Sequence, residues 1–310
     1  MDGILLVNLG TPAAPTPAAV REYLAEFLGD PRVVELPRWL WLPILHAVVL
    51  RTRPARSAKK YASVWTAEGS PLAVHTMRQT ELLRAALPHT RVEYAMRYGK
   101  PFIANGLAKL RDCARVAVVP LYPQYARSTT ETIRDVIGPR VPMVEDFHDH
   151  PRYIAALAAG VRRHWETHGK GERLIMSFHG LPKRAVERGD PYQTQCLATA
   201  KILAGTLRLA PSEYLVTFQS RFGAAEWLQP YTEPTLISLA KQGVKRVDVV
   251  CPGFVSDCLE TLEEIALEAR HAFLGAGGQA FHALPCLNES PEWIEALAAI
   301  SRKALEAASG

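Results

Sequence analysis

Two short apolar runs in this chain end in side chains able to move protons or hold a metal. Leu174-Ile175-Met176-Ser177-Phe178 leads into His179-Gly180-Leu181-Pro182, and Val247-Asp248-Val249-Val250 leads into Cys251-Pro252-Gly253-Phe254 and then Ser256-Asp257-Cys258-Leu259-Glu260. Each reads as a strand closed by a Gly/Pro turn, and open α/β sheets place their chemistry at the C-terminal ends of strands. The first turn presents an imidazole, whose ordinary pKa of about 6.5 lets it take a proton at neutral pH or ligate a divalent metal. The second presents Asp257 and Glu260 three residues apart, on one face of a helix that begins there, and Glu263 and Glu264 extend the acidic stripe. A base and an acidic cluster on strand ends suit proton removal coupled to metal handling. Acids at a helix start also favour the macrodipole, and Ser256 or Asp257 can cap a first turn. That reading covers Asp257 but not the whole stripe.

Such residues need a scaffold that gathers strand ends. Hydrophobic patterning predicts strands near 3–9, 92–96, 115–120 and 143–145, then near 173–178, 214–218, 246–251 and 280–283. Helices fill the gaps, over 17–29, 70–86, 103–112, 129–137, 151–168, 192–208, 232–242, 258–273 and 291–308. The pattern occurs twice. Leu5-Leu6-Val7-Asn8-Leu9-Gly10-Thr11-Pro12 matches Ile175-Met176-Ser177-Phe178-His179-Gly180-Leu181-Pro182 in ending on Gly-x-Pro. Arg115-Val116-Ala117-Val118-Val119 likewise matches Arg246-Val247-Asp248-Val249-Val250. Tandem βαβ halves explain both pairs, although buried parallel strands favour Val and Ile in any case. The expected fold class is α/β, with two similar Rossmann-like domains, each a parallel sheet flanked by helices. Asp149-His150-Pro151 marks the boundary, giving a first domain over 1–148, a second over 149–286 and a terminal helix within 287–310.

Composition narrows the class. The 310 residues exceed one ordinary core, and 48% hydrophobic with 22% charged residues is the balance of a soluble globular protein. No run reaches about eighteen uncharged apolar residues, so no spanning helix is expected. The N-terminus enters a strand with no basic leader, which points to the cytoplasm. A net charge of +5 is dispersed apart from Arg51, Arg53, Arg56, Lys59 and Lys60, and no nucleic-acid module is present, so no nucleic-acid partner is expected. The chain has neither GxGxxG nor a P-loop lysine. Five cysteines, at 113, 196, 251, 258 and 286, are odd in number and form no CxxC, which argues against a disulfide framework or a zinc site. Ahead of the basic cluster, Trp39 and Trp41 stand among leucines between Pro37 and Pro43. Such a segment fits an interfacial lip that touches the inner face of a membrane, and it also fits a helix buried over the first sheet.

Several further strings, taken in order, resemble the ferrochelatases. They are Leu6-Val7-Asn8-Leu9-Gly10-Thr11-Pro12, Glu68-Gly69-Ser70-Pro71-Leu72, Arg97-Tyr98-Gly99, Pro120-Leu121-Tyr122-Pro123-Gln124-Tyr125 and Phe218-Gln219-Ser220-Arg221-Phe222-Gly223. They join the His179 motif, with Arg188-Gly189-Asp190-Pro191-Tyr192 after it, and the stretch from Cys251 to Glu264. The resemblance ends near Pro285-Cys286-Leu287-Asn288. It implies a lyase of chelatase-like fold that inserts Fe²⁺ into protoporphyrin IX in a cleft between its two domains, with porphyrin and Fe²⁺ as substrates. It further implies catalytic roles for His179 and Glu260, facing each other across the porphyrin and both able to meet the metal, with Asp257 in support. Whether His179 is base or ligand stays open.

The same resemblance makes Arg97, Tyr98, Tyr122, Gln124, Tyr125, Ser70 and Ser220 substrate-binding residues. An arginine can pair with a propionate and a tyrosine can pack on the macrocycle, while a salt bridge and a core aromatic are the plainer reading of Arg97 and Tyr98. Ser70 equally suits the N-cap of a helix beginning at Pro71. Many relatives carry histidine where this chain has Cys258. Some hold an iron–sulfur cluster with cysteines of a C-terminal extension and one after Pro-Gln-Tyr; here Ala126 and Arg127 follow Tyr125 and the chain stops at Gly310, so no cluster is expected and no cofactor beyond the substrate Fe²⁺. The resemblance also places an apolar lip insertion at about 17–60 and packs the last helix back on the first domain. Rival readings are coproporphyrin III or a sirohydrochlorin as substrate, and a bilobal carrier of metal or haem that turns nothing over.

Overall fold

The computed structural model describes residues 1–223 and 225–308. They fall into two compact units. The first comprises 1–122, 126–146 and the chain from Leu297 onward; the second comprises 123–125 and 147–296.

In the first unit β1 (Asp2–Gly10), β2 (Thr90–Tyr98) and β3 (Val116–Pro120) form a parallel sheet of order β2-β1-β3. Between β1 and β2 run α1 (Pro17–Gly29), α2 (Arg38–Ile44), a π-helical stretch (Leu45–Val49), α3 (Leu50–Val64) and α4 (Pro71–Ala86). Then α5 (Ile103–Lys109) joins β2 to β3, and α6 (Thr130–Ile137) follows β3. A strand covered on both faces must be apolar throughout, and Ile4 to Val7 of the central strand are fully buried. Leu5, Val7, Ala95 and Val118 pack against Ile103, Ile133 and Ile137. The strand expected at 143–145 is reduced to a bridge between Val118 and Met143. Val118 N donates to Pro142 O at 2.8 Å and Val144 N to Val118 O at 3.0 Å, but Pro142 has no N–H with which to extend a ladder.

In the second unit α7 (Pro151–His168) precedes β4 (Arg173–His179), and α8 (Lys183–Glu187) and α9 (Tyr192–Leu207) lead to β5 (Tyr214–Gln219). Next come α10 (Thr232–Lys241), β6 (Arg246–Val250), a π-helix (Glu260–Ala269) continued by α11 (Arg270–Gly275), and β7 (Ala280–Ala283). The strands are parallel in the order β5-β4-β6-β7. Here β4, β5 and β6 take the places that β1, β2 and β3 take in the first sheet, so both repeated sequence pairs fall on equivalent strands. The last helix, α12 (Pro291–Ala307), begins in the second unit and ends in the first, which takes it from Leu297.

Residues 38–64 combine the two characters their sequence allowed. Trp41, Leu45 and Leu50 are buried, with Trp41 Nε1 donating to Leu28 O at 2.6 Å, whereas Trp39 is 79% exposed and Leu36, Leu40, Ile44 and Val48 are exposed as well. Pro43 and Pro54 lie inside helices, and the backbone widens to π geometry just after Pro43, whose ring removes one helical donor. No helix among the described residues is long and apolar enough to cross a membrane.

Candidate active site

The chemistry-bearing side chains of the second unit gather where its strands end. β4 delivers His179 as its last residue, β5 ends at Gln219 just before Ser220, and the chain after β6 turns through Cys251-Pro252-Gly253 toward the π-helix that starts at Glu260. His179 Nδ1 lies 2.7 Å from the Gly180 carbonyl. A carbonyl only accepts, so Nδ1 carries the hydrogen and Nε2 keeps its lone pair for a proton or a metal. The turn is tight. Tyr192 donates its hydroxyl to the His179 carbonyl at 3.0 Å, and Gly180 N donates to the Gln219 carbonyl at 2.6 Å. A Cβ on Gly180 would stand 2.6 Å from that carbonyl oxygen, closer than backbone can tolerate.

Gln219 links the strand of His179 to the π-helix. Its Oε1 accepts from Ser177 Oγ at 2.8 Å, and its Nε2 donates to the Glu260 carbonyl at 2.8 Å and reaches Glu264 Oε2 at 3.4 Å. Ser220 completes the connection: its N–H donates to Glu264 Oε1 at 2.7 Å and its hydroxyl to the other carboxylate oxygen. Ser220 holds a φ of 62°, a left-handed conformation uncommon for a residue with a side chain, and this pair of bonds to one carboxylate compensates for it. Burial pushes the Glu264 carboxyl above the usual carboxylate range and the Glu260 charge adds to the rise, while Ser220 and His179 pull the other way. Glu260 itself is half-buried beside the Cys258 thiol, which burial and Glu260 together push up.

A π-helix usually appears as a single turn and often at functional sites, and this one runs for ten residues. It divides the acidic stripe. Glu264 feels both His179 and Glu260, whereas Glu263 is buried and Glu268 is exposed. The expected helical pairing of Asp257 with Glu260 does not form, because Asp257 lies before the helix begins. Its buried carboxylate accepts from the Thr261 hydroxyl at 2.9 Å, from Asn288 Nδ2 at 2.7 Å and from Cys286 N at 3.3 Å. Asp257 therefore knots the loop after β6 to the loop after β7. Glu264 was legible in sequence only as an extension of the acidic stripe from Glu260, and Gln219 only as a strand end within a motif string; neither was named as a site residue.

The remaining expected site residues divide between the units. In the first, Arg97 pairs with Asp30 at 2.6 Å and donates from Nε to the Thr132 carbonyl at 2.8 Å, and the Tyr98 hydroxyl donates to the same Asp30 oxygen at 3.0 Å. The Arg97 guanidinium sits 4.4 Å from the Tyr98 ring centroid and Phe27 packs edge-on at 5.1 Å. Tyr98 is fully buried, with burial raising its phenol pKa, so its ring offers no face to a macrocycle and the core-aromatic reading replaces the substrate-packing one. Tyr122 is its neighbour, with a buried hydroxyl that has no hydrogen-bond partner. Ser70 stands at the N-cap of α4 without capping it through its side chain; its Oγ accepts from the Thr11 hydroxyl at 2.8 Å and ties down the turn after β1. Gln124 and Tyr125 belong to the second unit, where buried Gln124 donates to Thr199 Oγ1 at 3.0 Å and Tyr125 N donates to Gln195 Oε1 at 2.7 Å. The structure thus brings His179, Glu260 and Ser220 together, groups Arg97, Tyr98 and Tyr122 elsewhere, and uses Asp257 and Gln124 as internal ties. The cysteines are free thiols, and burial raises those of Cys196, Cys251 and Cys258, which weakens them as metal ligands.

Residues 1–305 match the profile of the family described as Ferrochelatase. Proteins named Ferrochelatase from Azoarcus sp. (strain BH72) and Aromatoleum aromaticum are 60% and 58% identical, over 95% and 97% of this chain and 85% and 87% of their own lengths. Another of that name, from Methylibium petroleiphilum, is 55% identical over 98% of this chain and 88% of its own. Among solved structures, SirB from Bacillus subtilis with Fe³⁺ aligns with a TM-score of 0.57 at 14% identity, covering 100% of this chain and 97% of SirB. CbiX, the terminal enzyme for biosynthesis of siroheme in denitrifying bacteria, aligns with a TM-score of 0.51 at 18% identity, covering 98% and 99%. Those two likenesses are of fold: paired α/β units, each with a parallel sheet flanked by helices.

Proposed function

The chain belongs to the ferrochelatase family, and we propose that it inserts Fe²⁺ into protoporphyrin IX, with His179 as the base and Glu260 and Glu264 serving the metal and the departing protons. In this lyase reaction two pyrrole N–H bonds break, the ring nitrogens bind Fe²⁺, and two protons leave with no change of oxidation state. The observation that carries the assignment of roles is the fixed tautomer of His179, which leaves Nε2 as its basic atom, beside a carboxylate pair on the π-helix. A carboxyl raised by burial can hold a proton nearer neutral pH and pass it on, and an oxygen donor such as Glu260 suits ferrous iron in transit. Peripheral contact with the inner face of a membrane belongs to the same proposal, because exposed Trp39, Leu40, Ile44 and Val48 precede a basic helix.

Anaerobic insertion of Fe²⁺ into protoporphyrin IX, followed by absorbance, tests the reading. His179→Ala and Glu260→Gln should each lower kcat by about 10²–10⁴-fold while porphyrin still binds. Turnover of coproporphyrin III or a sirohydrochlorin in place of protoporphyrin would reassign the substrate. Binding without turnover of any of them would make the protein a carrier.

A further inference from the structure

Three metal-binding side chains that porphyrin chemistry does not use converge toward the opposite end of the second sheet. Asp248 on β6 and His282 on β7 occupy paired positions of the ladder, and His164 reaches them from α7. Asp248 also pairs with Leu174 on β4, five residues before His179, or about 17 Å of strand. His164 Nε2 lies 3.5 Å and His282 Nδ1 lies 3.1 Å from Asp248 Oδ1, and the three ligand atoms are all within 4.8 Å of one another. We propose that His164, Asp248 and His282 form a binding site for a divalent first-row transition ion such as Zn²⁺, separate from the site of porphyrin metallation.

The spacing suits that ion. Metal bonds of about 2.0–2.1 Å to nitrogen and oxygen put tetrahedral ligand atoms about 3.3 Å apart, and the two separations at Asp248 Oδ1 bracket this. Three protein ligands leave a fourth position for water. The carboxylate is already oriented for the task, because its other oxygen, Oδ2, accepts from Trp165 Nε1 and from Gly171 N, each at 2.8 Å. Gly171 is needed there, since a Cβ would stand 2.9 Å from the same carboxylate. Asp248 has no exposed surface, and a buried carboxylate calls for a cation.

The charges already present answer that call only in part. Arg246 Nε stays 3.9 Å from Asp248 Oδ1 without a hydrogen-bond partner, while Nη2 of that guanidinium donates to the Gly169 carbonyl. His164 Nε2 is likewise buried without a hydrogen-bond partner, the position a metal would fill. Exposed His168, one turn along α7, stacks on the His164 ring at 4.5 Å and borders the cluster on its outer side. Two imidazoles to one carboxylate select zinc, iron, cobalt or nickel over magnesium or calcium. An ion bound there would clamp α7 to β6 and β7 and stabilise the second unit by mass action.

Titration of metal-free protein with Zn²⁺ against a chromophoric chelator tests the site, with Co²⁺ as a parallel spectroscopic probe. The parent protein should bind one equivalent that His179→Ala retains, and that His164→Ala and His282→Ala each weaken at least tenfold. Both of the latter variants should also lose the Zn²⁺-dependent rise in Tm and the visible absorption of protein-bound Co²⁺, while metallating porphyrin at the parent rate. His282→Asn, at a partly exposed position, serves as the second variant should either alanine change disturb the metal-free fold by circular dichroism. Unchanged affinity and stoichiometry in these variants, or a parent Co²⁺ spectrum no different from the aqueous ion, would overturn the proposal.

Discussion

In the proposed reaction His179 acts through one nitrogen because the Gly180 carbonyl takes the other, so the residue after the histidine matters as much as the histidine. Gly180→Ala should push β4 and β5 apart at the Gly180–Gln219 bond and lose about 1–3 kcal/mol of stability. Turnover should fall further than that loss explains, because the imidazole and Gln219 move together; Tm and kcat measured side by side check this. Glu264 makes a second prediction. Its folded pKa is raised, so it takes up a proton on folding. The accompanying stabilisation is complete below the unfolded value and is lost as pH rises through the folded one. Glu264→Gln keeps an acceptor for Ser220 N and offers a donor to Ser220 Oγ. Relative to parent it should therefore gain stability on going from about pH 4 to about pH 8, read as Tm at both values. The position of His179 at a strand end was legible in the sequence because a strand followed by Gly/Pro announces where a side chain emerges, whereas Glu260 was singled out by the resemblance. Tyr98 was not, since a tyrosine ending a strand looks the same whether its ring meets a ligand or, as here, Phe27 and Arg97.

At the scale of elements, periodicity located the strands and most helices and failed where proline or backbone class intervened. The segment from α2 to α3 reads either as an interfacial lip or as a buried helix, with Pro43 and Pro54 interrupting the pattern; it is helical, with a π-helical stretch between the prolines and Trp41 buried. The π-helix at Glu260–Ala269 occupies residues expected to be α-helical, and nothing in a 3.6-residue period reports i→i+5 bonding. The two tryptophans of the lip should separate cleanly on mutation. Trp41→Ala empties a buried, hydrogen-bonded site and should destabilise the protein by about 3–5 kcal/mol. Trp39→Ala, at an exposed position, should leave Tm unchanged and reduce cosedimentation with anionic vesicles. Equal vesicle binding by Trp39→Ala and parent would remove the lip from the account of membrane contact.

For the whole molecule, the repeat visible in the strings around β1 and β4 and around β3 and β6 is the repeat of strand order in the two sheets, and only the second sheet carries the histidine and carboxylates at its strand ends. The resemblance packs the last helix on the first domain, and the first unit does take the chain from Leu297 onward, but residue patterning alone gives no sign of it. Leu297, Ile300 and Leu305 of α12 are buried, and Arg302 reaches the Ala86 carbonyl at the end of α4 at 3.5 Å. Leu297 stands 199 residues after Tyr98, the last residue of β2, so this pairing has no local signature. Leu297→Ala should open a cavity costing about 2–5 kcal/mol. If the first unit owns that segment, hydrogen exchange should quicken in β1, β2 and β3 and stay near parent rates in β4 to β7. A uniform loss of protection across all seven strands would mean instead that the units unfold as one cooperative body, since a cavity in one foldon accelerates exchange only in what opens with it.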